Sequence, residues 1–256
     1  MEALLRFQDV SFSYHTLDGE TDVLSHISFE VKEGDFLAIV GPSGCGKSTI
    51  LSLIAGLLKP EEGSIFFHEQ LAAAHGTTAI GYMLQKDHLF EWRTVESNVL
   101  LGLEIQHKAD AKNRARVDRL LKAYGLSPFK HSRPSQLSGG MRQRAALIRT
   151  LALDPALLLL DEPFSALDYQ TRLSVSDDIW QIIRREKKTA LLVTHDISEA
   201  VSMADQVIVL TRRPARIRRV IPITFKLPER TPMASRDMPE FKQYFNLIWK
   251  ELNSHE

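Results

Sequence analysis

One short run constrains this chain more than anything else in it. Gly41-Pro42-Ser43-Gly44-Cys45-Gly46-Lys47-Ser48-Thr49 fits the pattern G-x-x-x-x-G-K-[ST]. It follows an apolar stretch, Phe36 to Val40, and opens a helical pattern from Lys47 to Leu57. Glycines let such a backbone curl until its N–H groups point inward at phosphate oxygens. The helix N-terminus behind them adds partial positive charge. Lys47 is placed to reach the β- and γ-phosphates of a nucleotide, and the Ser48 hydroxyl to ligate Mg²⁺. A glycine turn before a purely structural helix is the competing reading, and the strand–loop–helix context argues against it.

A second half-site lies far along the chain. Leu157-Leu158-Leu159-Leu160 is a strand-length apolar run that ends in Asp161-Glu162. Carboxylates at the carboxyl end of a buried strand sit where α/β sheets bind ligands. Asp161 is expected to hold Mg²⁺ through water, and Glu162 to polarise an attacking water as general base.

Around these motifs the pattern alternates. Leu4 to Phe12 and Val23 to Val31 read as half-buried strands, with Asp18-Gly19 in the turn between them. Ile80 to Leu84, Leu191 to Thr194 and Val207 to Leu210 read as further strands, and Arg216 to Phe225 as an extended, basic segment. Helical patterns fill Thr94 to Thr150, including Ala109 to Tyr124, and recur at Tyr169 to Lys187 and Met238 to Leu252. Apolar strands alternating with helices imply a mainly parallel sheet covered on both faces, with the 94–150 block as an inserted subdomain.

Composition removes some alternatives. Lys plus Arg and Asp plus Glu are both 32, so net charge argues for neither nucleic acid nor an acidic partner. With Cys45 as the single cysteine, an internal disulfide is impossible. The start, Met1-Glu2-Ala3-Leu4-Leu5-Arg6, lacks the features of a signal peptide, and no apolar run approaches the roughly 20 residues that span a bilayer.

Leu137-Ser138-Gly139-Gly140-Met141-Arg142-Gln143-Arg144 closely resembles the signature motif of the ABC ATPases, and the remaining motifs follow in that family's order along nearly the whole chain. The resemblance implies an α/β fold: a P-loop NTPase core with an N-terminal antiparallel β subdomain and an inserted helical subdomain. Residues 1–256 would form one ABC ATPase domain, with 1–93 and 151–256 as β subdomain and core and 94–150 as the helical part. It also implies roles. Tyr14 would stack on adenine. Gln85 would touch Mg²⁺ and the attacking water, and His195 the γ-phosphate. Asp168, in Ser165-Ala166-Leu167-Asp168, would lie in a loop crossing a dimer interface. Ser138, Gly139 and Gly140 would close on the ATP of a second copy in a head-to-tail dimer. Taken singly, each has a plainer reading: Ser138 or Asp168 as a helix cap, Tyr14 or His195 as a packed side chain.

Without a membrane span, the chain is expected to work with separate permease subunits at the cytoplasmic face of the plasma membrane, served indirectly by a solute-binding protein. Trp92-Arg93-Thr94-Val95 with Asn98-Val99, and Arg213-Pro214-Ala215-Arg216-Ile217, are similar to the nitrate/sulfonate/taurine importer ATPases. That group also includes pyrimidine-precursor transporters. Glu91 departs from the proline common there, and Tyr169 from a small residue. By the same resemblance, Phe90, Trp92 and Arg93 are candidate permease contacts. The cluster Arg212, Arg213, Arg216, Arg218 and Arg219 reads as a charged strand edge before a lipid or nucleic-acid site. A cytosolic assembly ATPase and an exporter ATPase stay open as alternatives. A GTPase does not, because no Asn-Lys-x-Asp guanine reader is present.

Overall fold

The computed structural model describes residues 3–17, 19–68, 70–71 and 79–253; Asp18, in the expected turn, and Met1 and Glu2 lie outside them. Two sheets organise the chain. In the first, β1 (Ala3–Thr16) and β2 (Gly19–Lys32) pair antiparallel. Every second residue is buried along Ile27, Phe29 and Val31 of β2, the register shifts between Phe7 and Ser13 of β1, and Phe7 faces Phe29 with ring centroids 4.6 Å apart. β4 (Glu62–Phe67) adds to the other edge of β1, and β5 (Gln70–Leu71) to β4, giving the order β2-β1-β4-β5.

The second sheet holds β3 (Phe36–Val40), β6 (Ile80–Met83), β7 (Leu157–Asp161), β8 (Thr189–Val193), β9 (Gln206–Leu210) and β10 (Ile217–Pro222). Its order is β10-β9-β3-β8-β7-β6, with only the β9–β10 pairing antiparallel. Every residue of β3 and β8 is buried, as expected for strands covered on both faces.

Those faces carry separate cores. Between the sheets, α1 (Lys47–Ile54) packs Ile50, Leu51, Leu53 and Ile54 against Phe7, Ile27, Leu157 and Leu191. The opposite face is covered by α2 (Val95–Ile105), α3 (Ala111–Ala123), α4 (Gly139–Leu151), α5 (Tyr169–Arg185) and α6 (Ile197–Met203). α7 (Pro232–Arg236) and α8 (Pro239–Asn253) close the chain. Side-chain caps start most of these helices: Thr94, Asp110, Ser138, Asp168, Asp196 and Thr231 each accept a backbone N–H of the first turn.

Several bounds differ from the sequence reading. β1 and β2 run past Phe12 and Val31, and β8 begins at Thr189 rather than Leu191. β4 and α6 were not anticipated. β4 starts at Glu62-Gly63, where Gly63 adopts φ 78° directly over the β1 backbone; a Cβ there would lie 2.2 Å from the Asp9 carbonyl oxygen.

Candidate functional site

The phosphate loop joins β3 to α1 at the carboxyl end of a central strand. Gly44 and Gly46 take φ 75° and 110°, values that side chains rarely tolerate. A Cβ on Gly46 would meet Val23 Cγ1 at 2.6 Å and Leu24 Cδ2 at 2.9 Å, so the loop can lie against β2 only with glycine there. Lys47 is buried, and its ammonium donates to the carbonyls of Gly41 (2.9 Å) and Pro42 (3.1 Å) inside the curl. The Cys45 thiol is buried beneath the loop, which pushes its pKa up.

A cleft of about 370 Å³ opens over this loop, lined by Tyr14, Val23, Ser43, Gly44, Gly46, Lys47, Ser48, Thr49, Glu162 and Arg213. Tyr14 projects from β1, 42% exposed; its hydroxyl lies 3.4 Å from Thr49 Oγ1 and its ring packs edge-on against Phe12. Arg213 is the residue the sequence reading passed over as a site member. Its guanidinium donates twice to the Gly44 carbonyl, at 2.7 and 3.1 Å. The turn carrying it is held to β2 through Ala215, which exchanges backbone bonds with Val23 and Ser25. Nothing local in the sequence marks that juxtaposition; it follows from β9 lying beside β3. The basic cluster therefore divides: Arg213 faces the phosphate loop, Arg216 bonds Ser25, and Arg218 and Arg219 pair with Glu251 along the edge strand β10.

The carboxylates close the other side. Ser48 Oγ donates to Asp161 Oδ1 at 3.2 Å, and the Tyr82 hydroxyl to Oδ2 at 3.3 Å. Burial pushes Asp161 above the usual carboxylate range, against the pull of those two donors. Glu162 comes next, held at φ 44°, a left-handed conformation that costs about 1–2 kcal/mol outside glycine. Its N–H donates to the Val193 carbonyl at 2.8 Å, which pins the strained turn to β8. His195 Nδ1 lies 3.0 Å from Glu162 Oε2, and Gln85 Nε2 donates to the same oxygen at 3.4 Å and to Ser165 Oγ at 3.3 Å. A carboxylate, an imidazole and an amide so gathered can orient a water and accept its proton.

Ser138, Gly139 and Gly140 line no part of this cleft. Ser138 caps α4 by accepting from the Met141 N–H (3.3 Å), leaving an exposed helix N-terminus. Gly139 and Gly140 abut Leu167 and Val175, where a Cβ would lie 3.0 and 2.7 Å from a side-chain carbon. Asp168 is exposed and caps α5 through the Thr171 N–H. The α4 N-terminus thus adjoins the 165–168 loop and not the chain's own phosphate loop. A larger cavity of about 580 Å³, bordered by Lys112, Arg116 and Arg119, contains none of the motif residues.

Gln85 leads into a segment bolted to α4. Arg142 grips Asp87 with Nε (2.8 Å) and Nη2 (3.3 Å), and reaches Glu91 with Nη1 (3.1 Å). Arg149 donates to the carbonyls of Asp87 and His88, both at 2.7 Å. Beyond it, Trp92 is 73% exposed and stacks obliquely on Phe90, while Arg93 is turned inward onto Ser97 and Glu104. No helix among the described residues is long and apolar enough to cross a membrane.

Comparison with known proteins agrees with this architecture. Residues 24–165 match the family model described as ABC transporter. The chain is 44% identical to the uncharacterized ABC transporter ATP-binding protein YtlC of Bacillus subtilis, over 99% of this chain and 97% of that protein. It is 39% identical to the aliphatic sulfonates import ATP-binding protein SsuB of Bacillus licheniformis, over 93% and 89%. Among solved structures it resembles the dimeric post-hydrolysis state of the ATP-binding cassette MJ0796 bound to ADP and Pi. There the TM-score is 0.72 and the identity 29%, over 86% of this chain and 99% of that one. The protein thus belongs to the ABC transporter family, as one of its ATP-binding, ATP-hydrolysing subunits.

Proposed function

We propose that the chain powers a membrane importer for a small solute such as nitrate, a sulfonate, taurine or a pyrimidine precursor, by hydrolysing ATP between two copies arranged head to tail. The observation that carries the chemistry is the meeting of Glu162, His195 and Gln85 within 3.4 Å beside the phosphate loop. The import direction and solute class draw their support from the likeness to SsuB.

The residues fit the groups they would hold. Gly44 and Gly46 let the loop curl tightly against β2 and Arg213, and Lys47 lies inside that curl. Ser48 Oγ and Asp161 Oδ1, 3.2 Å apart, are hard oxygen donors suited to Mg²⁺, with Gln85 as a further ligand. Bound there, Mg²⁺ would neutralise charge developing on the phosphate oxygens. Tyr14 offers its ring to the adenine. Glu162 takes the proton of the attacking water, and His195 holds the oxygens of the γ-phosphate in line with it. Phosphoryl transfer needs little covalent help, so positioning and charge supply most of the acceleration.

The exposed N-terminus of α4, remote from the chain's own cleft, supports the two-copy arrangement. Each copy would present Ser138, Gly139 and Gly140 to the other's nucleotide, with Asp168 at the shared interface. The exposed Phe90 and Trp92 are offered to permease subunits, which would hold the chain at the cytoplasmic face of the membrane while a solute-binding protein serves them from outside. Nucleic acid has no part in this reading.

Turnover and oligomeric state of wild type and Glu162→Gln with Mg-ATP test the proposal. A variant that stops hydrolysing and accumulates as an ATP-bound dimer is expected. One that hydrolyses normally as a monomer overturns it.

A further inference from the structure

Arg172, on the first turn of α5, is not part of the cleft, yet its guanidinium joins the two segments that flank the candidate catalytic groups. Nη2 donates to the Leu167 carbonyl at 3.0 Å, next to Asp168. Nη1 donates to Asp196 Oδ2 at 3.4 Å, next to His195. Nε is buried without a hydrogen-bond partner, and Glu199 Oε1 lies 4.0 Å away. The turn that bears His195 is braced from both sides. Thr194, itself buried, donates to Glu199 Oε2 at 2.6 Å and accepts from the Asp196 N–H at 3.0 Å. Asp196 caps α6 through the N–H groups of Ser198 and Glu199.

We propose that Arg172 is a positioning residue for hydrolysis: by tying the 165–168 loop to the Asp196 carboxylate, it holds His195 at Glu162. The inference rests on the reading of Glu162 and His195 given above. Its physical content is geometric. His195 is exposed and contacts Glu162 through one ring atom. The imidazole therefore takes its place from the backbone of residues 194–196, and Arg172, on α5, joins the Asp196 carboxylate to the 165–168 loop. The opposite end of the same loop is fixed by Ser165, which donates to the Glu162 carbonyl at 3.0 Å and accepts from Gln85. A fork that spans both segments makes the position of the loop and the position of the imidazole one variable. An arginine suits this because its planar donors reach two acceptors at once.

A purely structural arginine would lower stability and leave the chemistry of folded molecules alone, so the test is a kinetic cycle on the full chain. ATP turnover is measured for wild type, Arg172→Leu, His195→Ala and the double variant, each checked for folding by thermal melting. Arg172→Lys is added as a milder change, which keeps the charge but cannot span both acceptors. In the wild-type background, Arg172→Leu is expected to lower kcat about tenfold or more, with KM for ATP within about twofold. Arg172→Lys should fall between the two. With His195 already alanine, Arg172→Leu should lower kcat no further, because its effect passes through the imidazole. Equal losses in both backgrounds, or no loss in either, overturn the proposal and leave the roles of Glu162 and His195 standing. Full turnover by His195→Ala removes the catalytic reading of His195 as well, a result that the single variant reports separately. If Arg172→Leu does not fold, the same cycle run with Arg172→Lys decides.

Discussion

His195 Nδ1 sits 3.0 Å from Glu162 Oε2, although the two residues come from the ends of adjacent parallel strands. That contact makes the imidazole and the carboxylate one unit: the first fixes where the second points. We predict that His195→Ala lowers kcat by about 100-fold or more while nucleotide affinity changes little, since the phosphate loop is untouched. Titration with a fluorescent nucleotide separates the two effects. A variant that binds ATP as well as wild type and turns it over at the same rate would remove His195 from the chemistry.

Glu199 gives the fold a pH dependence with a definite sign. Burial pushes its carboxyl from an ordinary value of 4.5 up to about 7, against the bond from Thr194. Within that window the folded chain keeps a proton that the unfolded chain has released. Stability therefore falls as pH rises through it, and the loss is complete above the folded value. At about 1.4 kcal/mol per unit, the contribution is on the order of 3 kcal/mol. We predict that Glu199→Gln, which cannot ionise, loses less stability than wild type between about pH 5 and about pH 8 in urea unfolding. Parallel pH profiles for the two proteins would contradict this.

At Gly46, a methyl group is excluded twice over. The φ of 110° disfavours any side chain, and Val23 and Leu24 occupy the space a Cβ would need. Gly46→Ala is expected to lower stability by about 2–4 kcal/mol, combining backbone strain with overpacking. ATP binding should weaken more than stability alone explains, because the loop must lift off β2. Nucleotide titration at a temperature where the variant is fully folded distinguishes the two, and unchanged affinity would show that the loop absorbs the methyl group.

The Asp87–Arg142 pair is half-buried and bidentate, so its members are expected to couple. Burial alone would raise Asp87, but the Arg142 guanidinium and the Leu89 N–H hold its carboxyl below the usual range. Removing either partner should cost about 1–3 kcal/mol. The double variant Asp87→Asn/Arg142→Met should lose less than the sum of the two, by at least about 0.5 kcal/mol. Strict additivity in chemical denaturation would mean that the pair is held apart in solution.

How much of this was legible beforehand depends on the kind of signal. The phosphate loop and the strand ending at Asp161 announce themselves because a local pattern states both geometry and chemistry. The caps at Ser138 and Asp168 were legible for the same reason, whereas the short helix that Asp196 caps was not anticipated. Glu62–Phe67 was missed: its pairing with β1 depends on Gly63 crossing another backbone, a contact between distant segments. Arg213 and Arg172 were invisible as site neighbours for the same reason. Arg213 was read as part of a charged edge, and the order of strands in the sheet is what brings it to the phosphate loop and Arg172 to Asp196. Trp92, a candidate permease contact in the sequence, owes its exposure to how the segment after Gln85 lies on α4.

The grip of Arg142 and Arg149 on residues 87 and 88 has one more consequence. Gln85 stands two residues before that grip, and Ser138 stands one turn before Arg142 on the same helix. In the head-to-tail arrangement proposed above, a displacement at the amide would pass along this connection to the helix tip, so the chain would work as a lever with one arm at its own nucleotide and the other at its neighbour's. Softening the pivot while leaving both tips intact would give a protein that still binds at each end but has lost the timing between them.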